Sequence, residues 1–484
     1  MAISFWITTT LVSLWLVYRF VRLRTLNNVE VNRQHLLQVL DRAGPGEEPL
    51  IEGDSPPIFL GFFHPYCDAG GGGERVLWTA IRDVQREFPH VICVVYTGDI
   101  DASKEQILFR VKNRFNIDLD PRTLAIVYLH ARYLVEDSRY PRFTLLLQSL
   151  SSMVLGYEAM SKLVPDIYFD TMGYAFTYPV VHYLTHVKIA TYTHYPTISS
   201  DMLQRVYERR RQYNNDSQLA TSAIWTSGKL IYYHMFSWVY GWCGSFAEIV
   251  MVNSSWTKGH IDQLWKTEAE IVYPPCDTER LNVLDLNNRM PKIVSVAQFR
   301  PEKDHAMQIQ AMAKLFEKHP KWKDEKDLEL VMIGSSRNEG DERRIVGLRK
   351  LAQELNVEKY VRFEVNASFD TLVDYLGKAK VGLHTMWNEH FGIGVVEYMA
   401  AGLIPVAHNS AGPKRDIVTE YDGRPTGFLA DSVDSFADCL DKALSLSKQD
   451  TIKMASNARA AASDRFSEVA FSRELMRSLR KWLT

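Results

Sequence analysis

Two carboxylates, Glu389 and Glu397, stand on either side of a pair of glycines in the run Glu389-His390-Phe391-Gly392-Ile393-Gly394-Val395-Val396-Glu397. Glycines delivered onto a helix start let a backbone approach an anionic ligand while unpaired N–H groups point at it. Phosphate alone would not call for carboxylates there, because they repel it. Sugar hydroxyls would, since an ionised carboxylate only accepts and can take two of them at once. The run therefore fits a sugar joined to a phosphate. A bare Glu pair at this spacing is weak, because roughly one or two are expected by chance in a chain of this Glu content. Two solvated helix-end carboxylates explain the bare pair better until its surroundings are considered.

Those surroundings are a strand, a loop and a helix. Residues 381–383 form a short apolar strand, 385–388 a polar loop, and Gly392 and Gly394 open a helix that runs to Ala401. Gly402 suits the helix stop and 404–407 the next strand. A second such unit stands near the start. An apolar strand at 58–63 leads into His64-Pro65-Tyr66-Cys67-Asp68-Ala69-Gly70-Gly71-Gly72-Gly73-Glu74-Arg75 and an amphipathic helix to Phe88. The loop is neither a dinucleotide fingerprint, since Arg75 stands where a third glycine is required, nor a P-loop, since Gly-Lys-Ser/Thr is absent. Four glycines exceed what a tight turn needs and point to a ligand close to the backbone.

The Glu-x-Phe-Gly-x-Gly-x-x-Glu-x-Met-Ala-x-Gly pattern between apolar strands resembles the family 4 retaining glycosyltransferases of the GT-B fold. The resemblance implies that Glu389 contacts the transferred hexose and Glu397 the nucleotide ribose. It places the glycine loop beside the donor phosphates and the acceptor. Ala297-Gln298-Phe299-Arg300-Pro301-Glu302-Lys303-Asp304 resembles the family's diphosphate clamp, with Lys303 matching and Gln298 in the usual Arg place. Arg300, two residues on, is the candidate substitute. Thr193-His194-Tyr195-Pro196 follows a strand at 188–192, where open α/β sheets hold ligands; a satisfied structural histidine is the alternative. The position resembles the family's active-site histidine, which contacts the donor sugar and phosphate. The implied site is thus Glu389 and His194 as catalytic residues, with Arg300, Lys303, Phe391, Gly392, Glu397, Gly72 and Gly73 on the donor, and no metal.

At 484 residues the chain fits two domains plus additions, and a net charge of −2 gives no push towards nucleic acid. Five scattered cysteines (Cys67, Cys93, Cys243, Cys276, Cys439) contain no Cys-x-x-Cys pair and suggest a reducing compartment rather than zinc or disulfides. Residues 1–18 are uncharged and mostly apolar, and Arg19, Arg22 and Arg24 follow directly. With no basic region before the run and no cleavage site after it, the pattern reads as a signal anchor that leaves the rest cytosolic.

Residues 27–57, polar and rich in Gly and Pro, read as a linker. Further buried strands are expected at 91–96, 124–129, 249–252, 270–272, 292–296, 329–333 and 361–364, and helices at 435–446 and 451–483. Asp99-Ile100-Asp101 and Asp118-Leu119-Asp120 imitate a metal-holding Asp-x-Asp; about two such triplets arise by chance, and both read as loop carboxylates. Residues 225–252 are rich in Trp and Tyr and follow a basic run at 205–211, which favours a surface lying on a membrane over an ordinary core helix.

The expected architecture is α/β and GT-B: two facing Rossmann-like domains with a cleft between them, a C-terminal crossover helix and an N-terminal transmembrane anchor. The divisions are 1–22 (anchor), 23–57 (linker), 58–285 (acceptor and membrane-facing domain), 286–462 (nucleotide-sugar domain) and 463–484 (crossover helix). Together the motifs resemble the eukaryotic branch of the family that extends lipid-linked oligosaccharides. That resemblance implies α-1,2-mannosyl transfer from GDP-mannose to a dolichol-diphosphate oligosaccharide, the trimannosyl core gaining two mannoses on the cytosolic face of the endoplasmic reticulum. Membrane lipid and other early mannosyltransferases of that pathway are the implied neighbours, with no cofactor. A transferase using another nucleotide sugar, and a non-catalytic membrane subunit with a GT-B fold, are the alternatives.

Overall fold

The computed structural model describes residues 2–41, 56–198 and 223–484; the basic run at 205–211, the Gly44-Pro45-Gly46 stretch and Asn215 lie outside them. The chain forms two compact α/β units. Among its described residues the first holds seven strands, β1 (Ile58–Phe63), β2 (Val91–Thr97), β3 (Leu124–Tyr128), β4 (Ile167–Asp170), β5 (Lys188–Thr193), β6 (Ile249–Val252) and β7 (Glu270–Ile271). Their order is β3-β2-β1-β4-β5-β6-β7, and all pairs are parallel. The second unit holds β8 (Met290–Val296), β9 (Glu329–Gly334), β10 (Val361–Val365), β11 (Ala379–His384), β12 (Ile404–His408) and β13 (Phe428–Ala430). Their order is β10-β9-β8-β11-β12-β13, again parallel throughout. Parallel sheets carry helices on both faces, so their strands are continuous apolar runs, as in the fully buried Val91–Thr97. The strand order reverses between β1 and β4 in one unit and between β8 and β11 in the other. In doubly wound sheets ligands settle outside the strand ends at such points.

Two strands, β4 and β13, were not expected from the sequence. Each is short, and β4 ends in a buried charge, Asp170. That carboxylate accepts from the Met172 and Gly173 amides at 2.9 and 3.1 Å and from the Tyr178 hydroxyl at 2.6 Å, which fixes the turn after β4.

The expected linker is partly helical. Residues Val29–Asp41 form a helix tied to the first unit by Asn32 Nδ2 donating to the Lys162 carbonyl at 2.9 Å and by Arg33 pairing with Asp166 at 2.8 Å. Its apolar face is only Leu36, Leu37 and Leu40, too thin to read as amphipathic in a polar stretch. The helix Ala2–Asn27 runs on through the three arginines, and the Tyr18 hydroxyl donates to the Tyr183 carbonyl at 2.9 Å. Among the described residues, no helix is long and apolar enough to cross a membrane.

The aromatic stretch folds as the helix Ala223–Gly244 and divides lengthwise. Phe236, Tyr240 and Cys243 are buried in the first unit's core, while Ile231, Met235, Trp238 and Trp242 are exposed. The spacing of each set keeps it on one helix face. The C-terminal apolar stretch is two helices, Lys448–Phe466 and Glu468–Leu483, broken where the Phe466 carbonyl accepts from the Cys276 amide at 3.0 Å. Residues 1–253, 257–272 and 474–484 group as the first unit, and 254–256 with 273–473 as the second.

Candidate active site

In the second unit the two loops at the reversal point bring a cation onto a carboxylate. Lys303 ends the loop after β8, and Glu389 lies in the loop after β11. Lys303 Nζ stands 2.5 Å from Glu389 Oε2. Thr385 holds the loops together, its hydroxyl lying 3.0 Å from the Lys303 and Asp304 carbonyls while it accepts from Gln308 Nε2 at 3.0 Å. Ser410 accepts from the Asn388 amide at 2.8 Å, and the Glu389 carbonyl accepts from the Gly412 amide at 3.0 Å. A Cβ on Gly412 would stand 2.3 Å from the Phe391 carbonyl oxygen, so only glycine permits that approach. Gly392, at φ +112, turns the chain into the helix Ile393–Ala401, which carries the half-buried Glu397 in its second turn.

Burial works to raise the Glu389 pKa, but His384 and Lys303 outweigh it and hold the carboxyl well below the usual range. It is therefore an ionised acceptor at every physiological pH, as a group receiving sugar hydroxyls must be.

In the first unit, three strand ends converge beside the glycine loop. Gly70 takes φ +80, and Gly71 caps the helix Gly72–Glu87. The Gly71 amide donates to Glu74 Oε2 at 2.5 Å, and Glu74 Oε1 lies 3.8 Å from His64 Nε2. Burial would raise the Glu74 pKa, but the His64 contact and the loop amides bring it below the ordinary value. His64 Nδ1 sits 2.7 Å from the Thr171 hydroxyl, and the Thr171 carbonyl accepts from His194 Nε2 at 3.1 Å. A carbonyl partner requires that His194 carry its proton on Nε2. A Cβ on Gly73 would lie 3.4 Å from that nitrogen, so the loop and His194 are in close apposition.

A family model described as ALG11 mannosyltransferase N-terminus matches residues 57–265, and one for glycosyl transferases group 1 matches 277–461. A protein of Mus musculus named GDP-Man:Man(3)GlcNAc(2)-PP-Dol alpha-1,2-mannosyltransferase is 50% identical over 431 residues, 88% of this chain and 87% of that one. Proteins with the same name from Homo sapiens and Dictyostelium discoideum are 49% and 47% identical, each matching 88% of this chain and 87% and 85% of their own. The chain belongs to the ALG11 mannosyltransferase family. The trehalose 6-phosphate synthase of Burkholderia multivorans shares its fold, with a TM-score of 0.62 at 14% identity over 88% of this chain and 98% of that one. Sucrose-phosphate synthase of Thermosynechococcus elongatus gives 0.59 at 17% identity, with the same coverages. With its two parallel sheets, this ALG11-family chain has the GT-B fold.

Within the ALG11-family chain the expected site residues divide into groups. Lys303 meets Glu389, and His194 meets Gly73. Gly72 opens its helix and Gly392 turns into another. Arg300 is 39% exposed and has Glu302 at 3.7 Å. Phe391 is 3% exposed, and its ring packs on Tyr273 and Phe466 at 5.7 and 5.5 Å. Of the Asp-x-Asp residues, Asp99 pairs with Arg132, Asp118 with Lys112, and Asp120 caps the turn at Arg122 at 2.8 Å. His384, 3.3 Å from Glu389 Oε2, and the His64–Glu74 pair were not singled out in advance. The available signal was their place: each histidine sits at or beside a strand's carboxyl end at a reversal point.

Proposed function

We propose that this chain is a retaining α-1,2-mannosyltransferase that moves mannose from GDP-mannose to a dolichol-diphosphate oligosaccharide. In this reading it extends the trimannosyl core by two mannoses on the cytosolic face of the endoplasmic reticulum. The observation that carries it is the Lys303–Glu389 contact at the second unit's reversal point, in a chain 50% identical to a protein named for that reaction. A fixed cation suits a diphosphate, and an adjacent ionised carboxylate suits the hydroxyls of the attached sugar.

Glu389 holds the mannose hydroxyls and Glu397 the ribose. Lys303, Arg300 and the amides around Gly392 take the charge that grows on the departing diphosphate. His194, Gly72 and Gly73 complete the donor contacts. The departing phosphate oxygen takes the acceptor hydroxyl's proton on the same face, so no side chain serves as base. No metal is required, because Lys303 and Arg300 supply the positive charge.

Residues 1–22 serve as the anchor. The exposure of Leu11, Val12, Trp15, Leu16, Val17 and Phe20 ahead of Arg22 and Arg24 supports this, since an apolar helix surface of that size needs cover. The Ile231, Met235, Trp238 and Trp242 stripe lies on the same leaflet, with Trp residues at the headgroup level. Purified protein given GDP-mannose, GDP-glucose or UDP-sugars with a trimannosyl lipid acceptor tests the assignment. Transfer from GDP-mannose alone, yielding an α-1,2-mannosidase-sensitive product, is expected. Transfer from another nucleotide sugar supports the alternative donor, and GDP binding without turnover supports a non-catalytic subunit.

A further inference from the structure

We infer that His384 is a positioning residue that keeps Glu389 oriented towards the donor sugar while Lys303 is engaged with the diphosphate. This deepens the reading above and rests on it. His384 is the last residue of β11, its backbone in register with Ala407 of β12 and its side chain 7% exposed. Glu389, five residues on, sits in a loop that passes through Asn388 at φ +53. The Asn388 amide bond to Ser410 and the Gly412 amide bond to the Glu389 carbonyl pin the backbone there, and the direction of the carboxylate is set by what its side chain meets.

Two side chains face it, and both approach the same oxygen. Lys303 Nζ is 2.5 Å from Oε2 and His384 Nε2 is 3.3 Å from it. This leaves Oε1 as the oxygen for a hydroxyl. The histidine approach is close in distance but outside hydrogen-bond alignment, so Nε2 has no formed bond although it is buried. Opposite an ionised carboxylate, which only accepts, Nε2 gains a bond only as an N–H donor, and a small rotation of the carboxylate supplies it.

The two holders differ in freedom. Lys303 is a flexible amine that also touches the Met386 sulfur at 3.1 Å, and a diphosphate is a stronger attraction for it than one carboxylate. His384 is fixed by a paired strand and cannot follow. As the lysine charge is shared with phosphate oxygens, His384 becomes the hold on Oε2. Oε1 then stays aimed at the sugar.

The test compares His384→Phe, His384→Gln and His384→Asn with Glu389→Gln in one mannosyl-transfer assay, with GDP binding measured by calorimetry. Phe fills the space without an N–H; Gln returns an N–H near the Nε2 position; Asn places it short of Oε2. His384→Phe should lower kcat by about tenfold to a hundredfold, the scale of an ångström's misplacement. GDP affinity should stay within about twofold, and Gln should recover most of the rate while Asn should not. If the Phe variant gives no cooperative melt, the Gln–Asn difference decides alone. Full activity in Asn, or equal loss in Gln and Asn, overturns the inference, as does a fall in GDP affinity that matches the fall in kcat. Normal His384 variants beside an inactive Glu389→Gln reject His384 only. A fully active Glu389→Gln rejects the carboxylate's role and this inference with it.

Discussion

Replacing Glu389 by Gln keeps the side chain's length and planar end but removes the charge that Lys303 faces. At the observed 2.5 Å, two unit charges in an effective dielectric of about 20 attract by roughly 6–7 kcal/mol. Desolvation of the two ions cancels much of this. Breaking a buried pair by removing one partner typically costs about 3–5 kcal/mol, and these side chains keep 23% and 16% exposure. Screening through that exposure, and the amide oxygen that Gln still offers to Lys303, bring the expected loss to about 1–3 kcal/mol for the second unit. The melting transition should drop by several degrees, at about 2–4 °C per kcal/mol for a unit of this size. Turnover should fall much further, by about a hundredfold, because the lost charge acts on the reacting sugar. GDP affinity should hold or rise, since Lys303 no longer divides its charge. Calorimetry with GDP, a thermal melt and a mannosyl-transfer assay on the same preparation separate the three effects. Turnover within about threefold of the parent chain would refute the role of the carboxylate in the sugar site. A GDP affinity more than about tenfold weaker would show that Glu389 organises the diphosphate site instead.

Chelation of divalent metals should leave activity intact; loss on chelation with rescue by manganese or magnesium would reverse the assignment of the charge to Lys303 and Arg300. Asn253 and Asn366 begin described sequons, and Asn215 a third outside the described residues. All three should be unglycosylated in cells, and protease added to sealed microsomes should digest both units; protection of everything after Val252 would mean that 223–244 spans the bilayer. Asp170 titrates in reach of ordinary buffers, because burial pushes it up to about 6 despite its hydrogen bonds. A carboxyl whose folded pKa is raised contributes stability below its unfolded value near 4, and that contribution is lost as pH rises through about 6, a difference of about 3 kcal/mol. Asp170→Asn can keep its oxygen on the Met172 and Gly173 amides and donate to the Tyr178 oxygen, so it should flatten that slope in denaturant titrations. An unchanged slope would place the titration elsewhere.

Most strands could be read from the chain because both faces of a parallel sheet are covered. A fully buried strand such as Val91–Thr97 runs apolar from its first residue and meets threonine only at its carboxyl end. The glycine stop at Gly402 was legible for the same local reason, its φ of +83 being one that few other residues adopt. What was not legible depends on contacts across long separations. Lys303 reads as a solvated cation or a phosphate ligand until the fold sets it against a carboxylate 86 residues away. Phe391 lies within a ligand motif, yet its ring is claimed by Tyr273 and Phe466. The Val29–Asp41 helix is hard to read because its apolar face is only Leu36, Leu37 and Leu40, and its other ties, Asn32 and Arg33 on the 162–166 segment, lie more than a hundred residues away.

The grouping of residues 474–484 with the first unit has a consequence for synthesis. That stretch places Arg480 against Glu87, the Leu483 carbonyl 3.0 Å from His90 and Ser478 2.5 Å from Glu270. Translation reaches residue 272 well before it makes these partners, with roughly 200 residues still to add. At about 5–20 residues per second, the nearly complete first unit waits roughly 10–40 s for residues 474–484. The second unit takes three residues from before 273 and none after 473, so all its residues are made first. The order of birth along the chain is therefore not the order of completion. A premature stop after residue 473 would spare the second unit's residues and leave the first, although made hundreds of residues upstream, as the one cut short.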